Sequence, residues 1–350
     1  MNTKRYIRLL TATTITAASG ISIPIAAEQF TPVDDTRWSV FVDNDSIAPD
    51  NHDRDYSFGF AFSLSSTSKN TLWGTFDIPL TAVDNAFALH LLNTKVIDYA
   101  LEFGVIGFTP SDTKTSQPIT DDRPYASLLY LTSSHTLLPS SQNDALTSSL
   151  TFGLLGIPIV GDIQNAIHTV ASGEAIKGWR NQISAGGEPT VRYKLSWQKL
   201  LISESGVFDL KSGFQGSIGY LTEASWDLTL RAGQLRSQWW SFAPEAVDYG
   251  YKHGSISKST EPEGFVWAGI SIKARAYNAF LQGQFRDSEV SYDFNEIRHF
   301  IVESWLGYTH VFDDNFQFSY ALRYESAELK TSRGDRSQLW GGLVFSHTFE

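Results

Sequence analysis

The sequence predicts an all-β fold, an antiparallel transmembrane β-barrel of about twelve strands with a short helix in an outer-rim loop. Three observations point there: a run alternating aromatic with small residues, a surplus of aromatic side chains, and a single long charge-free stretch placed at the N-terminus.

The alternation is clearest in "DYSFGFAFSLSS". Successive strand side chains point to opposite faces, so Tyr56, Phe58, Phe60, Phe62 and Leu64 are expected on one face, and Ser57, Gly59, Ala61 and Ser63 on the other. A soluble sandwich would also alternate, but its outward face would carry Lys, Glu and Thr. Here the non-aromatic face is small and uncharged, as the interior wall of a membrane barrel would be.

The N-terminus and the composition decide between the two. Lys4, Arg5 and Arg8 precede nineteen uncharged residues, Leu9 to Ala27. That is the layout of a secretory signal peptide, with Ala26 and Ala27 as a cleavage end. The run is too rich in Thr and Ser for a spanning helix, and no other segment is long and apolar enough to be one. A membrane protein with this sequence must therefore cross with strands. Ten Trp, fourteen Tyr and twenty-three Phe supply the aromatic girdles of such a barrel. The expected organisation is a leader at 1–27 and one barrel domain at 28–350, exported to the outer membrane of a Gram-negative cell. Nothing calls for a second copy, so a monomer is expected.

Charge and cysteine content exclude other classes. There is no Cys, hence no disulfide framework, thiolate metal site or Cys nucleophile. Removing the three leader cations from the 27 basic residues leaves 24 against 38 acidic ones, a net charge of −14. So acidic a chain is a poor partner for nucleic acid. Acidic loops favour instead a divalent cation held by oxygen.

Twelve strands are expected at 36–43, 56–64, 97–109, 123–136, 146–156, 189–203, 207–220, 225–238, 265–278, 298–312, 315–326 and 336–349. The last, "SQLWGGLVFSHTFE", puts Leu339, Leu343, Phe345 and Phe349 on one face, with Glu350 following. If strand one rises from the periplasm, connections 44–56, 110–122 and 157–188 share the outer rim. Two connections at the other end, 65–96 and 239–264, are long for periplasmic turns. Either the strands around them lie elsewhere, or small helical pieces sit beneath the barrel, "PLTAVDNAFALHLL" being a candidate. In the third rim segment, "IQNAIHTVASG" reads as a short helix capped by Asp162 and ending at Gly173. Gln164 and His168, four apart, share one of its faces. His168 is either a solvated surface histidine or a general base.

Four motifs in order, "DND", "DRDYSFG", "DDRPYASLLYL" and "GDIQNAIHTVASGEAIKGWRNQI", resemble the outer-membrane lipid A deacylase family of the LpxR type, through roughly residues 38–200. The resemblance implies a twelve-stranded barrel and a calcium-dependent esterase that removes the 3′-acyloxyacyl group of lipid A, with lipopolysaccharide as substrate and the active site towards the outer surface. It places catalytic roles on Asn44, Asp45, Ser57, Gln164 and His168, with Ca²⁺ near Asp45 and Ser57. Arg54 and Arg123 are candidates for lipid A phosphates, or else members of rim ion pairs with Asp53, Asp121 and Asp122. Trp179, with Gln182, is expected to orient the loop and line the substrate. Ser127 and Leu128 replace the Gly and aromatic expected after "DRPYA".

The residue chemistry is compatible with ester hydrolysis. No Gly-x-Ser-x-Gly elbow occurs, so His168 activating a water, with a hard cation stabilising the oxyanion, is the leading mechanism. Two alternatives stand beside it: a phospholipase using Ser57 as nucleophile with His168, and a non-catalytic barrel serving as a pore or structural protein.

Overall fold

The computed structural model describes residues 36–349, apart from 50–53, 69–70, 142, 172–175 and 260; for 71–72 and 166–171 the description is confined to the backbone. The expected leader and Asp53 lie outside the described residues.

Twelve strands close into one barrel: β1 (Thr36–Asn44), β2 (Asp55–Ser66), β3 (Thr94–Thr109), β4 (Ala126–Pro139), β5 (Asp144–Leu155), β6 (Glu188–Glu204), β7 (Phe208–Gly219), β8 (Leu221–Gln234), β9 (Glu263–Asn278), β10 (Phe300–Val311), β11 (Phe316–Glu325) and β12 (Gln338–Phe349). Each is antiparallel to its sequence neighbours, and β1 closes on β12 from Thr36↔Phe349 to Asn44↔Gly341. Every segment expected from the alternation overlaps one strand. The barrel has a loop end, carrying the connections 45–54, 110–125, 156–187, 279–299 and 326–337. At the opposite, turn end lie the short links after β4, β6 and β10 and the two long connections 67–93 and 235–262.

Outside, Phe60, Phe62, Phe103, Phe152, Trp197, Phe214 and Ile270 are exposed and form an apolar band. Inside, the strands contribute Asp43, Glu102, Arg192, Lys194, Lys211, Arg231, Lys273, Arg275, Glu303, Arg323 and Glu325, all but Asp43 buried. So many charges inside one wall need partners. Connection 235–262 supplies many of them by folding up into the lumen, which corrects the expectation of helical pieces beneath the barrel. Lys252 bonds Asp43 through its ammonium at 2.6 Å. The Lys252 and His253 N–H groups donate to the Glu102 carboxylate at 2.9 Å. The Thr132 hydroxyl donates to Gly250 O at 2.7 Å, and Lys194 and Arg192 pair with Asp248 at 2.6 and 3.0 Å. Arg323 donates to Pro244 O at 2.5 Å. Irregular backbone at membrane depth is tolerated only where groups of this kind satisfy it. The cavities left around Val247, Lys252 and Arg323 have room for a water or two at most.

The second long connection also departs from expectation. Helix α1 (Thr71–Ala86) is not beneath the barrel but lies against the outward wall. Its Leu80 packs on Leu150 and Tyr193. These share their strand faces with exposed Phe152 and Trp197, and not with lumenal Thr151 and Lys194.

The plug predicts a stability effect. Lys211 and Glu245 are both fully buried and paired at 2.9 Å. Lys211→Met leaves the Glu245 carboxylate uncompensated and should cost about 3–5 kcal/mol, read as a lower midpoint when unfolding in denaturant is followed by the gel mobility of the folded barrel. An unchanged midpoint would refute the plug contact.

Candidate active site on the lipid-facing wall

The site begins with an irregularity in β2. Asp55 takes a left-handed conformation, φ 67°, which Asp tolerates better than most residues. The pairing with β3 then slips between Tyr56 and Phe58, a β-bulge that leaves Ser57 opposite no residue. The bulge overturns two expectations at once. Tyr56 does not join the aromatic row but turns into the lumen, where its hydroxyl donates to Asp43 at 3.0 Å. Ser57 does not face inward: its hydroxyl meets that of Thr109 at 2.5 Å. Thr109 shares a β3 face with Phe103, Val105 and Gly107, the lipid side of the wall.

Asn44, at the end of β1, staples this bulge. Its Nδ2 donates to Ser57 O at 2.7 Å and its Oδ1 accepts from Ser46 N at 2.7 Å, capping the short turn Asp45–Ile47. Asp45 is buried, and its carboxylate accepts the Arg54 N–H at 2.8 Å. Arg54 projects its half-exposed guanidinium 4.0 Å from the Asp55 carboxylate. Asn44, Asp45 and Ser57 therefore meet at the loop-end tips of β1 and β2.

The roof of the site is helix α2 (Pro158–Ala171). It begins four residues before the expected cap, because Pro158 has the φ and lacks the N–H of a first helical residue; Asp162 is an exposed interior position. Val160 buries against Val105, Tyr125, Ile176 and Trp179, with Phe58 and Leu129 packed alongside. Phe58, Val105 and Leu129 are outward residues of β2, β3 and β4, so α2 lies over the lipid side of the wall. Contact is close enough to require a glycine: a Cβ on Gly161 would stand 2.6 Å from Trp179 Cγ. The Trp179 indole donates to buried Gln164 at 2.9 Å. Ile159 and Ile163 remain exposed on the far face. His168 follows Gln164 by one turn in α2; its side chain lies outside the described residues.

Other expected residues fall elsewhere. Trp179 is buried and holds Gln164, a positioning contact. Gln182 accepts the Ser127 hydroxyl at 2.7 Å, so Ser127 ties β4 to the segment following α2. Arg123 is buried inside the barrel, paired with Glu328, its guanidinium 4.3 Å above the Phe108 ring. That position is closed to a phosphate on the outer wall and corrects the substrate-binding reading. Asp121 pairs with Arg333 at 2.8 Å, and Arg336 bridges Asp55 and Asp122 at 2.8 and 2.6 Å. These loop 326–337 partners, more than 200 residues from Asp122, had no signal in the sequence.

A metal at this site would meet oxygen donors only: the Asp45 carboxylate, the Ser57 and Thr109 hydroxyls, and backbone carbonyls. That chemistry fits a hard cation such as Ca²⁺. Among the described residues no group of three or more His, Asp or Glu side chains converges to hold one. Neutral oxygens and water would have to complete the shell.

Fold and site together define an outer-membrane β-barrel whose polar groups gather on the lipid side of the wall. The family model "Outer membrane protein LpxR" matches residues 9–349, and the chain belongs to that family. LpxR from Salmonella typhimurium is similar in structure, with a TM-score of 0.68 and 17% identity, covering 89% of this chain and 100% of that one. The β domain of the Bordetella autotransporter BrkA is more distant, at TM-score 0.43 and 8% identity over 91% and 100% of the two chains. No curated protein matches the chain significantly.

The Arg336 bridge has a pH dependence. Burial alone would push the Asp122 carboxyl up, but the Ser111 N–H and the Arg336 guanidinium outweigh it and hold it below the ordinary range. A depressed carboxylate contributes stability above its unfolded value, about 3.9, and loses it as pH falls through the folded value. Loops 110–125 and 326–337 should resist an acid-active protease at pH 5 and be cut increasingly as the pH falls below the unfolded carboxylate value. In Arg336→Met the cleavage should no longer follow this profile; identical profiles in the two proteins would refute the bridge.

Proposed function

We propose that this barrel hydrolyses the ester linking the 3′-acyloxyacyl group to lipid A, at the loop end, with that end facing the outside of the cell. The observation that carries the reading is that Asn44 and the outward Ser57 hydroxyl stand at the loop end of the wall whose lipid side is covered by α2 with its buried Gln164. A lipid diffusing in the membrane reaches such a site from the side, keeping its acyl chains along the wall while its headgroup meets the rim. Family membership supports the same reading.

The residues divide the work. His168, one turn beyond Gln164, takes a proton from water onto an imidazole nitrogen as the water attacks the ester carbonyl. Gln164, fixed by Trp179, sets the face of α2 that His168 shares. Asn44 holds the bulge that turns the Ser57 hydroxyl outward. Asp45 and Ser57 would hold a Ca²⁺, which when bound polarises the ester carbonyl and stabilises its negative charge. Arg54, half-exposed at the rim, is left to meet a lipid A phosphate.

Mass spectrometry of lipid A from outer membranes carrying the wild type, His168→Ala or Asp45→Ala, with calcium and with chelator, tests this. Loss of an acyloxyacyl mass only with wild type and calcium is expected. Unchanged lipid A beside a folded wild-type barrel would overturn the reading, and free fatty acid released from phospholipid instead would favour Ser57 as a nucleophile. Trp179→Phe keeps the packing but removes the donor to Gln164. It should lower kcat/KM about three- to tenfold, the worth of roughly one hydrogen bond, whereas unchanged kinetics would remove Trp179 from the machinery.

A further inference from the structure

Helix α1 carries a charge pattern that water does not explain. Its sequence, "TLWGTFDIPLTAVDNA", holds two charged residues, Asp77 and Asp84, seven apart and so on one face. Both are buried against the outward wall, where His135 of β4 bridges them: its Nδ1 is 2.7 Å from Asp77 and its Nε2 2.7 Å from Asp84. The Ser148 and Tyr193 hydroxyls complete the cluster, donating to Asp84 at 2.9 and 2.8 Å, and Thr81 donates to Asp77 at 3.0 Å. Every charge on the helix is thus turned to the wall and paired there.

The remaining surface is the reverse of a soluble helix. Phe76, Ile78 and Phe87, with Leu91 and Leu92 in the following turn, are exposed; between residues 73 and 94 no Asp, Glu, Lys or Arg is exposed beside them, the exposed polar side chains being Thr75, Asn85, His90 and Asn93. A helix over water would place its polar residues there. Phe87 stacks on Tyr193, ring centroids 5.1 Å apart, so this surface runs without a break onto the outward band of Trp197 and Phe152.

We propose that α1 and the turn after it are embedded in the membrane, lying on the barrel wall among the acyl chains of the leaflet at the turn end. With the loop end outward, that is the periplasmic leaflet. Continuity with the lipid-facing band and the absence of any exposed Asp, Glu, Lys or Arg between residues 73 and 94 select acyl chains as the occupant. The His135 bridge makes insertion possible by keeping two carboxylates out of contact with lipid, where they would be costly. A Ser–His–Asp arrangement also occurs here, Ser148 lying 3.3 Å from His135 Nε2. Asp84 occupies that same nitrogen more closely, so the cluster is an anchor and not a nucleophile. The inference stands apart from the proposed deacylation, since α1 touches none of the loop-end residues.

The chain has no Cys, so single cysteines can be introduced and labelled with an environment-sensitive fluorophore. Ile78→Cys and Leu91→Cys test the helix, Phe103→Cys serves as the wall control, and Ser205→Cys, in an exposed turn, as the aqueous control. The full barrel is refolded into phosphatidylcholine vesicles with or without brominated acyl chains. Labels at 78 and 91 should be quenched by bromolipid as strongly as that at 103, several-fold more than that at 205, and should resist aqueous iodide. Quenching by iodide as at 205 would overturn the proposal, as would shielding from both quenchers, the signature of a second copy on this face. In His135→Gln the label at 78 should become open to iodide, because the unpaired carboxylates leave the wall; a label still in lipid would remove His135 from the anchor.

Discussion

The account depends on the charges inside the barrel. A wall that turns Arg192, Lys194, Lys211, Lys273, Arg275 and Arg323 inward cannot leave them bare, and connection 235–262 returns into the lumen to meet several of them. Asp248 takes Arg192 and Lys194, Glu245 takes Lys211, and the Pro244 carbonyl takes Arg323. Among the described residues, those bonds fill the lumen with connection 235–262 and leave beside Val247, Lys252 and Arg323 cavities far too small for a lipid. The proposed chemistry is thereby displaced from the inside of the barrel to its outside.

The outside is where both long helices lie. α2 covers the loop-end faces of β2, β3 and β4, and α1 covers the turn-end faces of β3 to β6. α1 turns apolar residues outward and hides both of its acids against the wall, whereas α2 exposes Ile159 and Ile163, buries Gln164 and leaves Asp162 exposed. In α1 the hidden groups neutralise one another through His135. In α2 the hidden Gln164 is fixed by one indole, above the wall whose loop end carries the Ser57 bulge. The second arrangement leaves polar atoms beside a lipid-accessible edge, and that difference makes the loop end, and not the turn end, the candidate for catalysis.

Much of this was legible in the sequence because a strand in a wall has a strict period of two. Alternation located all twelve strands, and the first two motifs hold Asn44 and Ser57, which the structure joins by a hydrogen bond. Parity failed where one residue was added: the bulge at Ser57 reversed Tyr56 and Ser57, and no local pattern announces a bulge. The plug was illegible because irregular backbone has no period, its partners being set by strands up to 209 residues away. Arg123 belonged to the same problem, since its partner Glu328 comes from the last loop. The position of α1 left a usable signal, two acids seven residues apart on an otherwise uncharged helix, which marks a face that must be neutralised by something outside the helix.

Conductance of the purified, refolded barrel in a planar bilayer tests the central claim most directly. A lumen filled by 235–262 predicts insertion events without a steady ion current. A stable open-channel current from the folded wild-type protein would contradict it, and the placement of the chemistry on the outer wall would lose its physical reason.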